Sequence, residues 1–330
     1  MNEVYGNMKK NHHSLSKSQL KNTGIKTLVS VSRFLFFFGM SYILLNPILI
    51  MLSRSLRSAE DVLNPTIIWI PQNFTLANFK VAFDLMDFKN TAWLTGRISV
   101  ISTLLTMAIA SVTGYSLARY KTFISKPLIL FVTLTIIIPP QTYLMPLFFH
   151  FNNFNFFGIG SIIGLFTGKT LSVNLTSNEI SYYILAALGM GIRSGLFILI
   201  FYQFFRQMPK ELENAARIDG CGEFRTFTKV MLPNASAPFL VTFLLSVIWY
   251  WNDTFYSTVL MRNKMMLANM VSNMQELIRT SYGGIGRGEG AAETVIVFAG
   301  ALIYILPPLI IYLCLQKFFI QSVERTGIVG

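Results

Sequence analysis

Six apolar stretches, each long enough to cross a bilayer as a helix, constrain this chain more than anything else in it. They cover 34–52, 98–118, 127–149, 180–205, 238–257 and 294–316. A bilayer core is spanned by about 20 predominantly apolar helical residues. Backbone groups in lipid must be satisfied within the element, so the stretches are predicted as helices and not strands. Four carry no charge, 180–205 holds only Arg193, and 238–257 holds only Asp253. Charged residues make up 13% of the 330, against 53% hydrophobic. That is about half the charge of a soluble domain. A water-soluble enzyme could not hide so much apolar surface, and a disordered chain would lack it. The expected class is all-α: a polytopic membrane protein with six transmembrane helices.

The net charge of +12 fits that class once it is sorted by segment. The N-terminal 33 residues, the 119–126 connection, the 206–237 connection and the C-terminal tail together hold sixteen basic and six acidic residues. The other three connections, with Arg97 just before the second stretch set aside, hold nine and eight. Basic excess marks the cytoplasmic side, so both termini and the 206–237 loop are expected there. The tail lysines are read as this topology signal before any contact with anionic lipid. A chain this apolar is not expected to bind nucleic acid. Cys221 and Cys314 give no disulfide framework. His12, His13 and His150 form no metal-ligand spacing. Residues 1–33 lack a signal-peptide pattern, and no internal repeat or second soluble domain is evident.

Some features imitate chemistry. Residues 164–170 read GLFTGKT, but a phosphate-cradling loop needs four residues between its glycines and this has three. The segment also falls on the outer side by the charge count. Intramembrane charge is a functional flag by default; the plainer expectation for Arg193 and Asp253 is that each sits near an outer helix end and reaches the interface. Two isolated charges make a poor proton or sodium relay. Pro139, Pro140 and Pro146 in the third stretch, and Pro307 and Pro308 in the sixth, are expected to kink their helices. The tryptophans Trp69, Trp93, Trp249 and Trp251 fit interfacial belts.

The 206–237 loop is the most polar long stretch after the N-tail. Pro209 suits a first helical position, and Glu211 and Glu213 then fall in the first turn, where they complement the helix dipole. Leu212, Ala215 and Ala216 are predicted to share one small-residue face. Gly220 supplies a stop, because it tolerates the left-handed conformation. Phe224, Phe227, Val230 and Met231 form a second stripe at helical spacing, ended by Pro233. Two short amphipathic helices with nearly balanced charge read as a protein-docking knob more readily than as a helix lying on lipid.

At these residues the chain closely resembles the inner-membrane permeases of binding-protein-dependent ABC importers. Their EAA signature reads here as Asn214-Ala215-Ala216-Arg217-Ile218-Asp219-Gly220, closed by Val230, Leu232 and Pro233. Asn214 stands where the family usually has Glu, with Glu213 beside it. Pro139-Pro140-Gln141, Trp69-Ile70-Pro71, the 114–119 segment GYSLAR, Trp251-Asn252-Asp253 and the terminal 326–330 TGIVG are similar to the carbohydrate branch, whose maltose-permease-G-like subunits the chain resembles over roughly 34–330. The resemblance implies a type I importer permease fold: a cytoplasmic tail at 1–33, a transmembrane permease domain at 34–316 with its core at 92–316, and a cytoplasmic tail at 317–330. It implies a transport subunit in the cell membrane, not an enzyme, that binds no cofactor or metal of its own. ATP would bind two separate ATPase subunits, and a second permease subunit, an extracytoplasmic solute-binding protein and a sugar would complete the system. The coupling residues it implies are Glu211, Glu213, Asn214, Ala215, Ala216, Arg217, Asp219, Gly220, Leu232 and Pro233. Substrate residues stay unassigned. A non-sugar importer of the same fold, an ion-coupled secondary transporter and a membrane-embedded enzyme remain the competing readings.

Overall fold

The computed structural model describes residues 17–67, 69–282 and 290–327. Lys9, Lys10 and residues 328–330, which figured in the sequence reading, lie outside them. Helix is the only extended regular structure among the described residues, alongside two isolated bridges, Arg57–Phe74 and Phe154–Val173.

The first stretch lies within α1 (Lys17–Ser55). A short helix α2 (Ala77–Leu85) leads to α3 (Phe88–Arg119), which contains the second stretch. The sixth lies within a long terminal helix, Gly290–Gly327. These three helices are long and apolar enough to cross a membrane. The terminal helix continues through Pro307 and Pro308 as a single element.

The third and fourth stretches are each two helices. In the third, α4 (Ser125–Ile137) gives way to a 3-10 turn at Pro140–Thr142 and then α5 (Leu144–Asn152). Pro139 and Pro140 cause this: a residue before proline is pushed out of the helical region, and Ile138 is extended at φ −70° and ψ 119°. A short helix α6 (Ile159–Thr167) then ends at Gly168, which is left-handed at φ 73° and donates its N–H to the Gly164 carbonyl at 2.9 Å. The glycine of the GLFTGKT segment therefore caps a helix C-terminus and does not open a helix as a phosphate loop would. In the fourth stretch, α7 (Ile180–Ala187) and α8 (Ser194–Gln207) are separated by a turn with Gly189 at φ 72° and Arg193 at φ 57°.

Two further short helices, α9 (Glu211–Ile218) and α10 (Glu223–Thr226), form the 206–237 loop. The fifth stretch is mostly α11 (Ser236–Trp251), which meets the preceding loop helix at a 74° bend. It ends at Asn252, and α12 (Phe255–Leu260) starts anew. Asp253 builds that start. Its carboxylate accepts from the Tyr256 N–H at 3.2 Å, the Ser257 N–H at 2.9 Å and the Tyr182 hydroxyl at 2.6 Å. Asp253 lies just past the end of α11, but at 6% exposed it is enclosed by protein and does not extend to water; local N–H donors and a tyrosine take the place of water.

The centre of the bundle is α3. Its buried residues are largely small or hydroxylic, including Thr95, Ser99, Ser102, Thr103, Thr106, Ala110, Ser111 and Gly114. Small residues let helices approach closely in a membrane protein. A Cβ on Gly114 would stand 2.6 Å from the Phe201 Cβ and 2.8 Å from the Tyr202 nitrogen. Against this face pack α8, α11 and α7, whereas α1 lies at the periphery, against the terminal helix.

Candidate functional site

The site is assembled where the ends of α3 and α8 meet the 206–237 loop. Arg119 is the last residue of α3, and α8 stops at Gln207. A hydrophobic cluster fills this end: Tyr115 from α3, Phe197, Phe201 and Phe205 from α8, and Phe227 and Met231 from the loop. The Tyr115 ring lies 4.9 Å from that of Phe227 and 5.4 Å from that of Phe205. The second loop stripe is thus divided. Phe227 and Met231 are buried in the bundle, while Phe224 is 78% exposed.

The first loop helix has an inward and an outward side. Glu213 and Ala216 are buried; Glu211, Asn214, Ala215, Arg217 and Asp219 are exposed, as is Leu212. Ile218 is 86% exposed. Leu212, Ala215 and Ala216 therefore do not share one face: Leu212 and Ala215 point out, and Ala216 follows Glu213 in. The reason is electrostatic. The Glu213 Oε1 accepts the Tyr115 hydroxyl at 2.8 Å and lies 3.2 Å from Arg119 Nε. That Nε is placed for charge pairing and not aligned as a hydrogen bond. The Arg119 Nη2 donates to the Met208 carbonyl at 2.9 Å, which fixes the end of α8 to the same guanidinium.

A second, exposed pair ties the two loop helices together. Glu223 accepts the Tyr120 hydroxyl at 2.8 Å and lies 3.1 Å from Arg217 Nη2. The Tyr120 hydrogen bond first, and the Arg217 hydrogen bond second, hold the Glu223 carboxyl below the usual carboxylate range. Such an exposed pair sets orientation and contributes little stability.

Between the helices Gly220 adopts φ 78°, its N–H bonds the Arg217 carbonyl at 3.0 Å, and the Cys221 N–H bonds the Ala216 carbonyl at 2.9 Å. Nothing lies within 4 Å of a Cβ built there, so the glycine serves the left-handed backbone and not a tight fit. The end of the loop differs from expectation. The second helix changes to π-type bonding over Phe227–Met231, and Leu232 and Pro233 fall in a further short turn, Leu232–Asn234. Pro233 has no N–H to carry on the α ladder, so the path bends here before α11.

The arrangement joins α3, α8 and the loop rigidly while leaving Leu212, Ala215, Ile218 and Phe224 uncovered. A sequence profile described as "Binding-protein-dependent transport system inner membrane component" matches residues 107–325, which include this whole assembly. The chain belongs to that family. It is similar to the melibiose/raffinose/stachyose import permease protein MelC of Bacillus subtilis, with 26% identity covering 86% of this chain and 91% of that one. It is similar to the arabinooligosaccharides transport system permease protein AraQ of Halalkalibacterium halodurans, with 26% identity covering 88% and 93%. In fold it matches a chain of a bacterial ABC transporter involved in the import of the acidic polysaccharide alginate, with a TM-score of 0.66 and 17% identity over 89% of this chain and 97% of the other. This permease is an inner membrane component of an ABC importer, a transport subunit and not an enzyme. Dependence on a binding protein implies a solute-binding partner, and ABC transport implies an ATPase partner.

Tyr115 and Arg119 hold Glu213 although nothing local to the loop signals it; both fall within the GYSLAR segment that carries part of the resemblance. The exposure of Ile218 and Phe224 likewise has no signal in the local pattern.

Proposed function

We propose that this permease imports a carbohydrate, an oligosaccharide by the size of its relatives' cargo, and is driven through its 206–237 loop by separate ATPase subunits. The observation that carries the substrate class is likeness to sugar permeases over nearly the whole chain. In this reading the chain passes the membrane six times with both termini and the loop in the cytoplasm. The broken third and fourth passes are long enough for this. At 1.5 Å per residue, α4 plus α5 reach about 33 Å and α7 plus α8 the same, against a core of about 30 Å. A second permease subunit, two ATPase subunits and an extracytoplasmic binding protein complete the complex. ATP is held by the ATPase subunits, and this chain binds no cofactor.

The outward side of α9, with Leu212, Ala215 and Ile218, and Phe224 beside it, seats in a cleft of the ATPase subunit. An apolar helix face laid in a groove is a recurring recognition mode. Glu211, Asn214, Arg217 and Asp219 orient it through polar contacts. Glu213 acts on the other side: its contacts to Tyr115 and Arg119 pass a displacement of the loop to α3, and Arg119 passes it to α8 through Met208. Closure of the ATPase pair then rocks the spans between inward-open and outward-open states, a rigid-body switch biased by nucleotide.

Gly220→Val tests this. A β-branched residue at φ 78° strains the turn by about 1–2 kcal/mol, and ATP-dependent uptake and binding-protein-stimulated ATPase activity are expected to fall together. Survival of both removes the coupling role. The retained ligand of the cognate binding protein tests the carbohydrate assignment, and a non-sugar ligand would replace it.

A further inference from the structure

The breaks in the third and fourth passes face one another across a cavity of about 250 Å³. It is lined by Tyr143 from the first break, by Met190, Arg193 and Ser194 from the second, and by Tyr256 of α12. Irregular backbone at membrane depth is tolerated only inside protein or along a water-filled cavity, and in secondary transporters discontinuous helices commonly build the solute site.

The second break is held in place by design of its surroundings. The Ile192 N–H donates to the Tyr250 hydroxyl at 3.2 Å, and a Cβ on Gly191 would stand 2.2 Å from that oxygen. Arg193 lies thirteen residues before Arg206 on the path into α8. With Arg206 at the inner boundary, that is about 20 Å of helix, which leaves about 10 Å of a ~30 Å core above it. On the six-pass reading this puts the Arg193 backbone about 10 Å inside the outer boundary of the core.

The chemistry of the lining is one-sided. Arg193 is its one charged residue. The guanidinium stacks over the Trp249 ring at 5.7 Å, and no carboxylate lies within ion-pairing distance of it among the described residues. Stacking on a ring leaves the in-plane fork of donors available, the geometry that takes a carboxylate through two bonds. Ser194 is 3% exposed and its Oγ has no hydrogen-bond partner. The Tyr143 and Tyr256 hydroxyls share one hydrogen bond at 2.6 Å, so either can turn to a ligand hydroxyl. An uncompensated cation at this depth is costly, and an anionic cargo removes that cost.

We propose that this cavity is a subsite on the translocation path for a sugar residue bearing a carboxylate. Arg193 pairs with the carboxylate, and the Tyr143–Tyr256 pair takes a ring hydroxyl. The proposal deepens the carbohydrate reading and rests on it.

The test uses the assembled transporter in liposomes with Met190→Cys, a residue more than half exposed in the cavity lining. Labelling is measured above that of the chain without the added cysteine. The anionic sulfonatoethyl methanethiosulfonate is expected to react about tenfold faster than its cationic trimethylammonioethyl counterpart, because one nearby charge favours one and repels the other. Arg193→Gln removes the preference and Arg193→Lys keeps most of it. A uronate trisaccharide slows the labelling, and a neutral trisaccharide does so far less. Absence of labelling, equal rates for the two reagents, or equal protection by the two sugars overturns the proposal. Uptake assays separate the two readings. If no saccharide enters although anion preference and uronate protection hold, the carbohydrate function fails and the anion site stands. If neutral sugars enter while the cavity shows no preference, the reverse holds.

Discussion

Arg119 Nε stands 3.2 Å from Glu213 Oε1, and the two side chains are 7% and 8% exposed. The pair links the last turn of a buried central helix to the first turn of a loop helix nearly a hundred residues away. Removing one partner of a buried pair leaves the other charge uncompensated, at about 3–5 kcal/mol. Arg119→Ala and Glu213→Ala are each expected to destabilise the protein by about that much, and the thermal unfolding midpoint in detergent should fall in both. The double variant Arg119→Met with Glu213→Leu removes both charges and is expected to recover much of the midpoint. ATP-coupled uptake should stay low in the double variant, because Arg119 no longer ties the loop to Met208.

Glu223 gives the loop a pH dependence of definite sign. The Tyr120 hydroxyl, and then Arg217, hold its carboxyl below its usual range. A carboxyl depressed in the folded state contributes its stabilisation above its unfolded value and loses it as pH falls through the folded value. Protease cleavage of the loop, followed as pH is lowered, should therefore rise only below the ordinary carboxylate range. Tyr120→Phe removes the first of the two causes and is expected to move that rise to higher pH.

Gly114 and Gly39 form a matched test of close packing. A Cβ at Gly114 meets Phe201 at 2.6 Å, whereas one at Gly39 meets nothing within 4 Å. Gly114→Ala is expected to separate α3 from α8 at a cost of about 1–3 kcal/mol and to reduce the yield of folded protein. Gly39→Ala is expected to leave both unchanged. Thermal unfolding by fluorescence compares them directly.

The parts of the fold that were legible in the sequence are those set by local composition. Stretches 34–52, 98–118 and 294–316 each lie within one helix because hydropathy alone decides them. The break at Pro139 and Pro140 was visible as a kink, since proline acts on its own neighbours. The break before Ser194 was not read, although Gly189 and Gly191 around it are the signal that could have shown it. The burial of Asp253 was not legible because it depends on Tyr182, 71 residues away. Within the site, the turn at Gly220 and the acidic first turn of α9 follow from residue type. Which side of α9 faces inward does not, because it is decided by Tyr115 and Arg119 on another helix.

The central claim is that the 206–237 loop seats in an ATPase subunit, and disulfide trapping tests it most directly. Cys221 is a free, partly exposed cysteine immediately after Gly220. With Cys314→Ser in the assembled transporter, and single cysteines placed along the ATPase cleft, at least one placement is expected to form a disulfide with Cys221 whose yield changes on adding ATP. Failure of every placement across the cleft, in a complex that still transports, would contradict the account.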